Sequence, residues 1–211
     1  MIPPVLEQLQ TCLRSGKLPG RVSHQRLAPE GRGGDDEAVD AATLRYAAVL
    51  VIVFDAADPS VLLIRRPDDG SLHAGELAFP GGRYEDGEVF PVGTALREAQ
   101  EEILLDPERA TVLGVLSPIY IPVSNFCVVP VVAWVDSVDG VEPSDSEVAE
   151  IVTLRLRTLR TPPQRRVFAT RAGDIGAPCW VVSDTRPDLP PLWGASAMVA
   201  SELIDACGES W

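Results

Sequence analysis

Four glutamates, Glu88, Glu98, Glu101 and Glu102, are concentrated between Gly82 and Leu105, in the stretch GRYEDGEVFPVGTALREAQEEILL. The second half of this stretch has helical spacing. At ~100° per residue, Glu98, Glu101 and Glu102 fall within roughly a quarter-turn of one another on one helix face. Leu96, Ala99 and Ile103 gather on a neighbouring face, the one expected to dock on a sheet. Like charges at this spacing repel and weaken a helix. A divalent cation among the carboxylates would relieve that repulsion, and Mg²⁺ and Mn²⁺ are hard ions that take carboxylate oxygens and bridge to phosphates. A solvated acidic face is the ordinary alternative for such a cluster. Two neighbours argue against it here. Upstream, Phe79-Pro80-Gly81-Gly82-Arg83 is a turn that lets backbone approach an ion or ligand closely. Arg97 stands four residues before Glu101, where it can hold that carboxylate in one rotamer.

The order Gly82, Glu88, Arg97-Glu98, Glu101-Glu102 resembles the signature of the Nudix hydrolases, G-x5-E-x7-R-E-U-x-E-E-x-G-U with U apolar. Two positions depart from it. Eight residues, not seven, separate Glu88 from Arg97, and Leu104 stands where the pattern has its last glycine. A glycine there suits a left-handed residue just past a helix end. Leu104 must therefore strain that turn or carry the chain onward differently.

Upstream, Leu62-Leu63-Ile64-Arg65-Arg66 leads to His73-Ala74-Gly75-Glu76-Leu77-Ala78-Phe79-Pro80-Gly81-Gly82. This is similar to the added signature of the coenzyme A pyrophosphatase branch of that family, which also carries the extra residue before its Arg-Glu pair. Ser71 replaces the arginine that the branch has two positions before the histidine. The segments from Ser117 to Phe126 and from Trp193 to Ala197 resemble the same branch, so the likeness runs from about Arg45 to about Cys207.

The elements that must position these residues can be read in outline. Residues 4 to 14 have helical spacing, and 15 to 42 look like a loosely attached connection rich in Gly, Arg, Asp and Pro. Residues 1–44 are thus expected to be an N-terminal helix and flexible connection, and 45–211 the catalytic domain. Ala47 to Phe54 reads as a buried strand, with Val61 to Ile64 as its partner. Two strand-like runs, Thr111 to Ile121 and Phe126 to Val135, follow the acidic helix, with Pro118, Pro122 and Pro130 limiting where they can pair. Val148 to Leu156 alternates as a strand, Cys179 to Val182 reads as an edge strand, and Ala195 to Cys207 as a last helix with Val199, Leu203 and Ala206 on one stripe. This order fits a mixed sheet between helices. The resemblance implies an α/β fold, a Nudix-like α/β/α sandwich.

Composition narrows the partners. The net charge of the 211-residue chain is −13, which disfavours a nucleic-acid groove, since such grooves neutralise phosphates with Lys and Arg. Small nucleotides stay open, because a bound metal inverts the local field. Cys12, Cys127, Cys179 and Cys207 are scattered with no CxxC pair and are expected to be reduced thiols. No apolar run is long enough for a membrane span, and the N-terminal residues do not read as a signal peptide. The expected setting is cytoplasmic, as a monomer or homodimer without membrane or nucleic-acid partners.

Taken with these bounds, the resemblance implies hydrolysis of a nucleoside diphosphate derivative with Mg²⁺ or Mn²⁺. It assigns Glu98, Glu101, Glu102 and the Gly82 carbonyl to the metal. Glu88 either helps that shell or binds Arg97. Glu101 is the preferred general base, with Glu147 or Glu150 as the alternative. Arg65, Arg66, His73 and Arg83 are the candidate substrate contacts, and Tyr120 and Phe126 candidate stacking partners for an adenine. The leading substrate is coenzyme A or a derivative, cleaved to 3′,5′-ADP and 4′-phosphopantetheine. A hydrolase of ADP-ribose or NADH is the near rival, and a Nudix-fold sensor that binds a nucleotide without turnover is the rival from another class.

Overall fold

The longest apolar run of the chain becomes the central strand, because only a strand covered on both faces keeps such a run out of water. A computed structural model describes residues 2–31, 41–70, 73–144, 147–171, 173–183 and 185–208. In it, β1 (Arg45–Phe54) pairs in parallel with β7 (Phe126–Trp134) from Arg45 to Val53. On its other edge β1 meets two partners. Val53 and Phe54 pair with β2 (Ser60–Arg65), and Ala47 to Val49 pair with β4 (Gly81–Arg83). The short β3 (Leu77–Ala78) pairs with the end of β2, so the segment from Leu77 to Arg83 passes from β2 to β1. This crossing lays the Gly81-Gly82 turn against the middle of the sheet.

Side chains of β1 and β2 alternate between two cores. Ala48, Leu50, Ile52, Leu62 and Ile64 pack with Ala95, Ala99 and Ile103 of α3 (Val92–Ile103). Val51, Val53, Val61 and Leu63 pack on the opposite face with Leu9 and Leu13 of α1 (Glu7–Ser15), Leu27 of α2 (Arg21–Leu27), and Ala197, Val199 and Leu203 of α4 (Gly194–Cys207). The result is the expected α/β/α sandwich around a mixed sheet.

Thr111 to Ile121 is not one strand but two, β5 (Thr111–Val115) and β6 (Ile119–Ile121), both antiparallel to β7. Pro130 explains the break. Its carbonyl accepts from the Leu116 N–H at 2.9 Å, so its nitrogen, which has no hydrogen to donate, faces the same edge. β5 has ended there and β6 has not begun. The strand expected over Val148 to Leu156 is β8 (Glu150–Arg155), which pairs with β2.

Three expectations need correcting. The connection over 15–42 contains α2, whose Ser23 and His24 are buried; residues 32–40 lie outside the described ones. The edge strand expected at Cys179 to Val182 is the end of β10 (Gly173–Trp180), which forms a separate antiparallel sheet with β9 (Gln164–Thr170) and β11 (Leu192–Trp193). The last helix is buried on most of its circumference, Ser201 and Glu202 included, rather than along one stripe.

Candidate functional site

The glutamates of α3 do not act as one face. Glu102 is buried and Glu98 half-buried, both turned towards the Gly81-Gly82 turn, whereas Glu101 is exposed. The turn needs its glycines for this. A Cβ on Gly82 would overlap the Glu98 carboxylate, and one on Gly81 would overlap the Ala48 carbonyl. With neither present, the Gly81 N–H donates to Glu102 Oε2 at 2.8 Å.

Arg97 holds the rest of the arrangement. Its Nε donates to Glu88, its Nη1 to Glu101 at 2.7 Å, and its Nη2 to Glu98 at 2.8 Å and to the Arg83 carbonyl at 2.9 Å. The planar guanidinium can serve several acceptors at fixed angles, which an ammonium cannot. Glu88 also accepts from Thr94 Oγ1 at 2.6 Å and from the Glu85 N–H at 3.0 Å. The bond from Arg97, followed by those from Thr94 and Glu85, brings the Glu88 pKa down to about 2. Glu88 is therefore a fixed anion that anchors Arg97.

Glu98 and Glu102 are shifted the other way. Burial raises both, and the charges of Glu98 and Glu147 add to the rise at Glu102, against the Gly81 N–H and Arg66, which lower it; Glu102 reaches about 7. Arg97 at Glu98 and Arg66 near Glu102 offset this rise only in part, and the pKa of each carboxylate stays above its ordinary value. That is the chemistry a hard divalent ion satisfies. Among the described residues no three acidic, His or Cys side chains are gathered as a ready-made cage. Mg²⁺ does not require one, since it usually keeps several waters and takes one or two carboxylates plus substrate phosphates. The donors present fit such an ion.

Beside this turn opens a cavity of about 250 Å³. Its walls are Ala28 and Pro29, His73 and Glu76 to Ala78, residues 119–124, and Trp193 with the start of α4 up to Met198. Arg66 stands in the wall between cavity and carboxylates. Its charge acts on Glu102, and its buried Nε finds no hydrogen-bond partner among the described residues. A buried donor without an acceptor is costly, and an anionic ligand would satisfy it.

A NUDIX domain model matches residues 43–171. The chain belongs to the Nudix family. Among curated relatives, it is 45% identical over 112 residues to an uncharacterized Nudix hydrolase, NudL, of Pectobacterium atrosepticum, a match covering 53% of this chain and 58% of the relative. It is 40% identical over 131 residues to the NudL of Citrobacter koseri, covering 62% of this chain and 68% of that one. The matched region thus spans little more than half of the first relative's length. Among solved structures, a Nudix hydrolase from M. smegmatis, RenU, superposes with a TM-score of 0.50 at 22% identity, covering 76% of this chain and 84% of that one, which speaks for the fold alone.

The Nudix box residues Gly82, Glu88, Arg97, Glu98, Glu101 and Glu102 are thus brought together around one turn. Of the remaining candidates, His73 and Arg66 reach the cavity, and His73 Nδ1 bonds Glu76 Oε2 at 2.8 Å. Arg83 is exposed and lies over the Phe126 ring, 5.5 Å from its centroid, beside Arg45 at 4.3 Å. Arg65 leans towards Glu150 at 3.9 Å. Glu150 itself is gripped by both Nη atoms of Arg186, at 2.9 and 3.2 Å. Its neighbour Glu147 is the one whose charge acts on Glu98 and Glu102. Tyr120 lines the cavity with its hydroxyl donated to Asn125 at 2.9 Å. Ser71 lies outside the described residues. Leu104 is left-handed, with φ 53°, and 53% exposed, so the strained exit is the form adopted. None of the four cysteines is in a disulfide, and no described helix is long and apolar enough to cross a membrane.

One group escaped the sequence reading altogether. Glu202, His24, Ser117 and the Gly20 N–H form a buried network on the far side of the cavity. The fold alone bridges the 178 residues between His24 and Glu202, and no local pattern marks the pair.

Proposed function

We propose that this protein is a divalent-metal-dependent hydrolase of nucleoside diphosphate derivatives, and that its substrate is coenzyme A or a derivative, cleaved to 3′,5′-ADP and 4′-phosphopantetheine. The observation that carries the reading is the position of Arg66, which lines the cavity, acts by its charge on Glu102, and has a buried Nε with no hydrogen-bond partner among the described residues. A diphosphate bound at Arg66 has its anhydride beside Glu98 and Glu102 and one of its two substituents in the cavity.

When bound, Mg²⁺ or Mn²⁺ neutralises charge on the phosphate oxygens and lowers the pKa of an attacking water. Glu98, Glu102 and the Gly82 backbone would hold it, with Glu101 as a further donor. Arg97 keeps Glu98 and Glu101 in place and is itself anchored by Glu88. Arg66 binds a phosphate oxygen through a charge-assisted bond. Glu101 or Glu147 accepts the proton of the water; Glu150 is less suited, because Arg186 already occupies both its oxygens.

The cavity favours coenzyme A over ADP-ribose on chemical grounds. A second ribose presents hydroxyls that need partners once buried. The cavity offers mostly aliphatic and proline surface, from Leu77, Ile119, Ile121, Pro122 and Met198, which suits the dimethyl and methylene groups of pantetheine. The test is a panel of coenzyme A, dephospho-coenzyme A, ADP-ribose and NADH with Mg²⁺ and with Mn²⁺, with products identified by mass spectrometry. Formation of 3′,5′-ADP and 4′-phosphopantetheine is expected. Cleavage of ADP-ribose or NADH alone would move the substrate, and binding without turnover of any compound would make the protein a sensor.

A further inference from the structure

Of the pieces of chain that wall the apolar cavity, three lead to the same buried carboxylate. Ala28 and Pro29 follow directly on α2; Ile119 to Ser124 begin two residues after Ser117; Trp193 to Met198 open α4. Glu202, one turn along α4 from Met198, is fully buried. Its Oε1 accepts from the Gly20 N–H at 3.1 Å, ahead of α2, and from Ser117 Oγ at 2.7 Å. Its Oε2 accepts from His24 Nε2 on α2 at 2.7 Å. The Ser117 N–H lies 3.2 Å from Oε1 and 3.1 Å from Oε2. A second row of contacts keeps α2 beside α4. Ser201 Oγ donates to the Ser23 carbonyl at 2.8 Å, and Arg26 donates to Asp205 at 2.7 Å.

A buried carboxylate is costly unless donors surround it. An apolar side chain would join α4 to the sheet at less cost. What Glu202 adds is direction, because hydrogen bonds fix angles and lengths that apolar contacts leave loose. The donors it collects stand within a few residues of the other two walls. The metal-binding carboxylates take no part, since α3 packs on the opposite face of the sheet.

We propose that Glu202 is a positioning residue that holds these three of the cavity's walls in register and so sets affinity for the part of the substrate beyond the diphosphate. This rests on the reading that the cavity receives that part. Loosening the tie widens or misaligns the cavity, raises KM for a cavity-filling substrate, and leaves kcat at the carboxylates unchanged.

The variants are Glu202→Leu, Glu202→Gln and Ser117→Ala, in the full-length protein. Glu202→Leu removes every acceptor and strands two backbone N–H groups, so it is the variant most exposed to misfolding. Ser117→Ala removes one donor and keeps the fold testable. Glu202→Gln retains one oxygen for Gly20 and Ser117 and can turn its amide to His24, so it should restore most of the function. Each is assayed for kcat and KM with coenzyme A, and its hydrogen exchange is followed over residues 18–30, 117–125 and 193–200, with β1 as reference. Glu202→Leu and Ser117→Ala should raise KM roughly tenfold, the effect of losing one good contact, at unaltered kcat, with faster exchange in the three wall segments only. The inference is overturned if KM and wall exchange stay at wild-type values, or if kcat falls together with exchange protection in β1, as a purely structural role would give. If the wild-type protein does not cleave coenzyme A, the coenzyme A reading fails separately, and the variants are scored on whichever compound of the panel it does cleave.

Discussion

The Gly81 N–H donates to Glu102 Oε2 at 2.8 Å, joining the glycine turn to the most deeply buried carboxylate of α3. The bond aims one oxygen at backbone and leaves the other for an ion or substrate. Replacing Glu102 by Gln keeps a carbonyl oxygen for Gly81 and removes the charge. The Glu102→Gln protein should fold normally and lose turnover by roughly a hundredfold or more, the scale of removing one preorganised electrostatic contact. Steady-state kinetics with Mg²⁺ checks this, with circular dichroism to show that the fold is kept. Turnover near the wild-type rate would mean that Glu102 is no ligand.

Burial also makes Glu102 a source of pH-dependent stability in the metal-free protein. Its pKa moves from 4.5 in the free side chain to about 7 in the fold. Between those values the unfolded chain has ionised while the folded one keeps its proton, so stability falls as pH rises. The contribution is whole below 4.5 and gone above about 7, and amounts to at most roughly 3 kcal/mol. Thermal melting with a chelator should therefore show the Glu102→Gln variant gaining on the wild type from acid to neutral pH and then holding a constant lead. A lead that does not change with pH would show that Glu102 titrates as an ordinary surface carboxylate.

Arg97 serves four acceptors at once, three carboxylates and the Arg83 carbonyl. A lysine keeps the charge but concentrates it at one nitrogen. Arg97→Lys should cost roughly 10–100-fold in activity or metal affinity, the range seen when groups that orient metal ligands are changed. Metal titration of activity separates the two: a higher Mg²⁺ requirement is expected, and an unchanged requirement with unchanged rate would count against the anchoring role.

Much of this was legible in the residues because it is local. The period of α3, the continuous apolar run of β1 and the glycine turn each show within a dozen positions. The division of labour on α3 is not local. Glu101 and Glu102 are adjacent in sequence, yet one is drawn out by Arg97 and the other is pressed under Gly81. α2 was invisible for a related reason. Its seven residues offer little apolar surface, Val22 points to solvent, and it is held by Ser23 and His24 through partners on α4. Apolar periodicity does not register a helix fastened by polar contacts. β9, exposed along most of its length and rich in arginine, gives no alternation to read. Glu202 stands in an Ala-rich helix, where a lone glutamate reads as solvent-facing until the fold brings its donors to it.

Leu104 gives the clearest test of a departure from the family pattern. It occupies the left-handed region just after α3, with its N–H donating to the Ala99 carbonyl and more than half its surface exposed. A residue with a Cβ is strained there by ~1–2 kcal/mol, and its exposed side chain contributes little packing in return. Glycine relieves the strain but frees the unfolded chain, which offsets part of the gain by ~0.5–1 kcal/mol. Leu104→Gly should therefore raise stability slightly, by up to ~1 kcal/mol, and leave kcat unaltered, because the exit lies beyond the last box glutamate. Denaturant melts of the two proteins measure this. A clear loss of stability would mean that Leu104 is packed against something in solution, and that this helix end has been rebuilt around it.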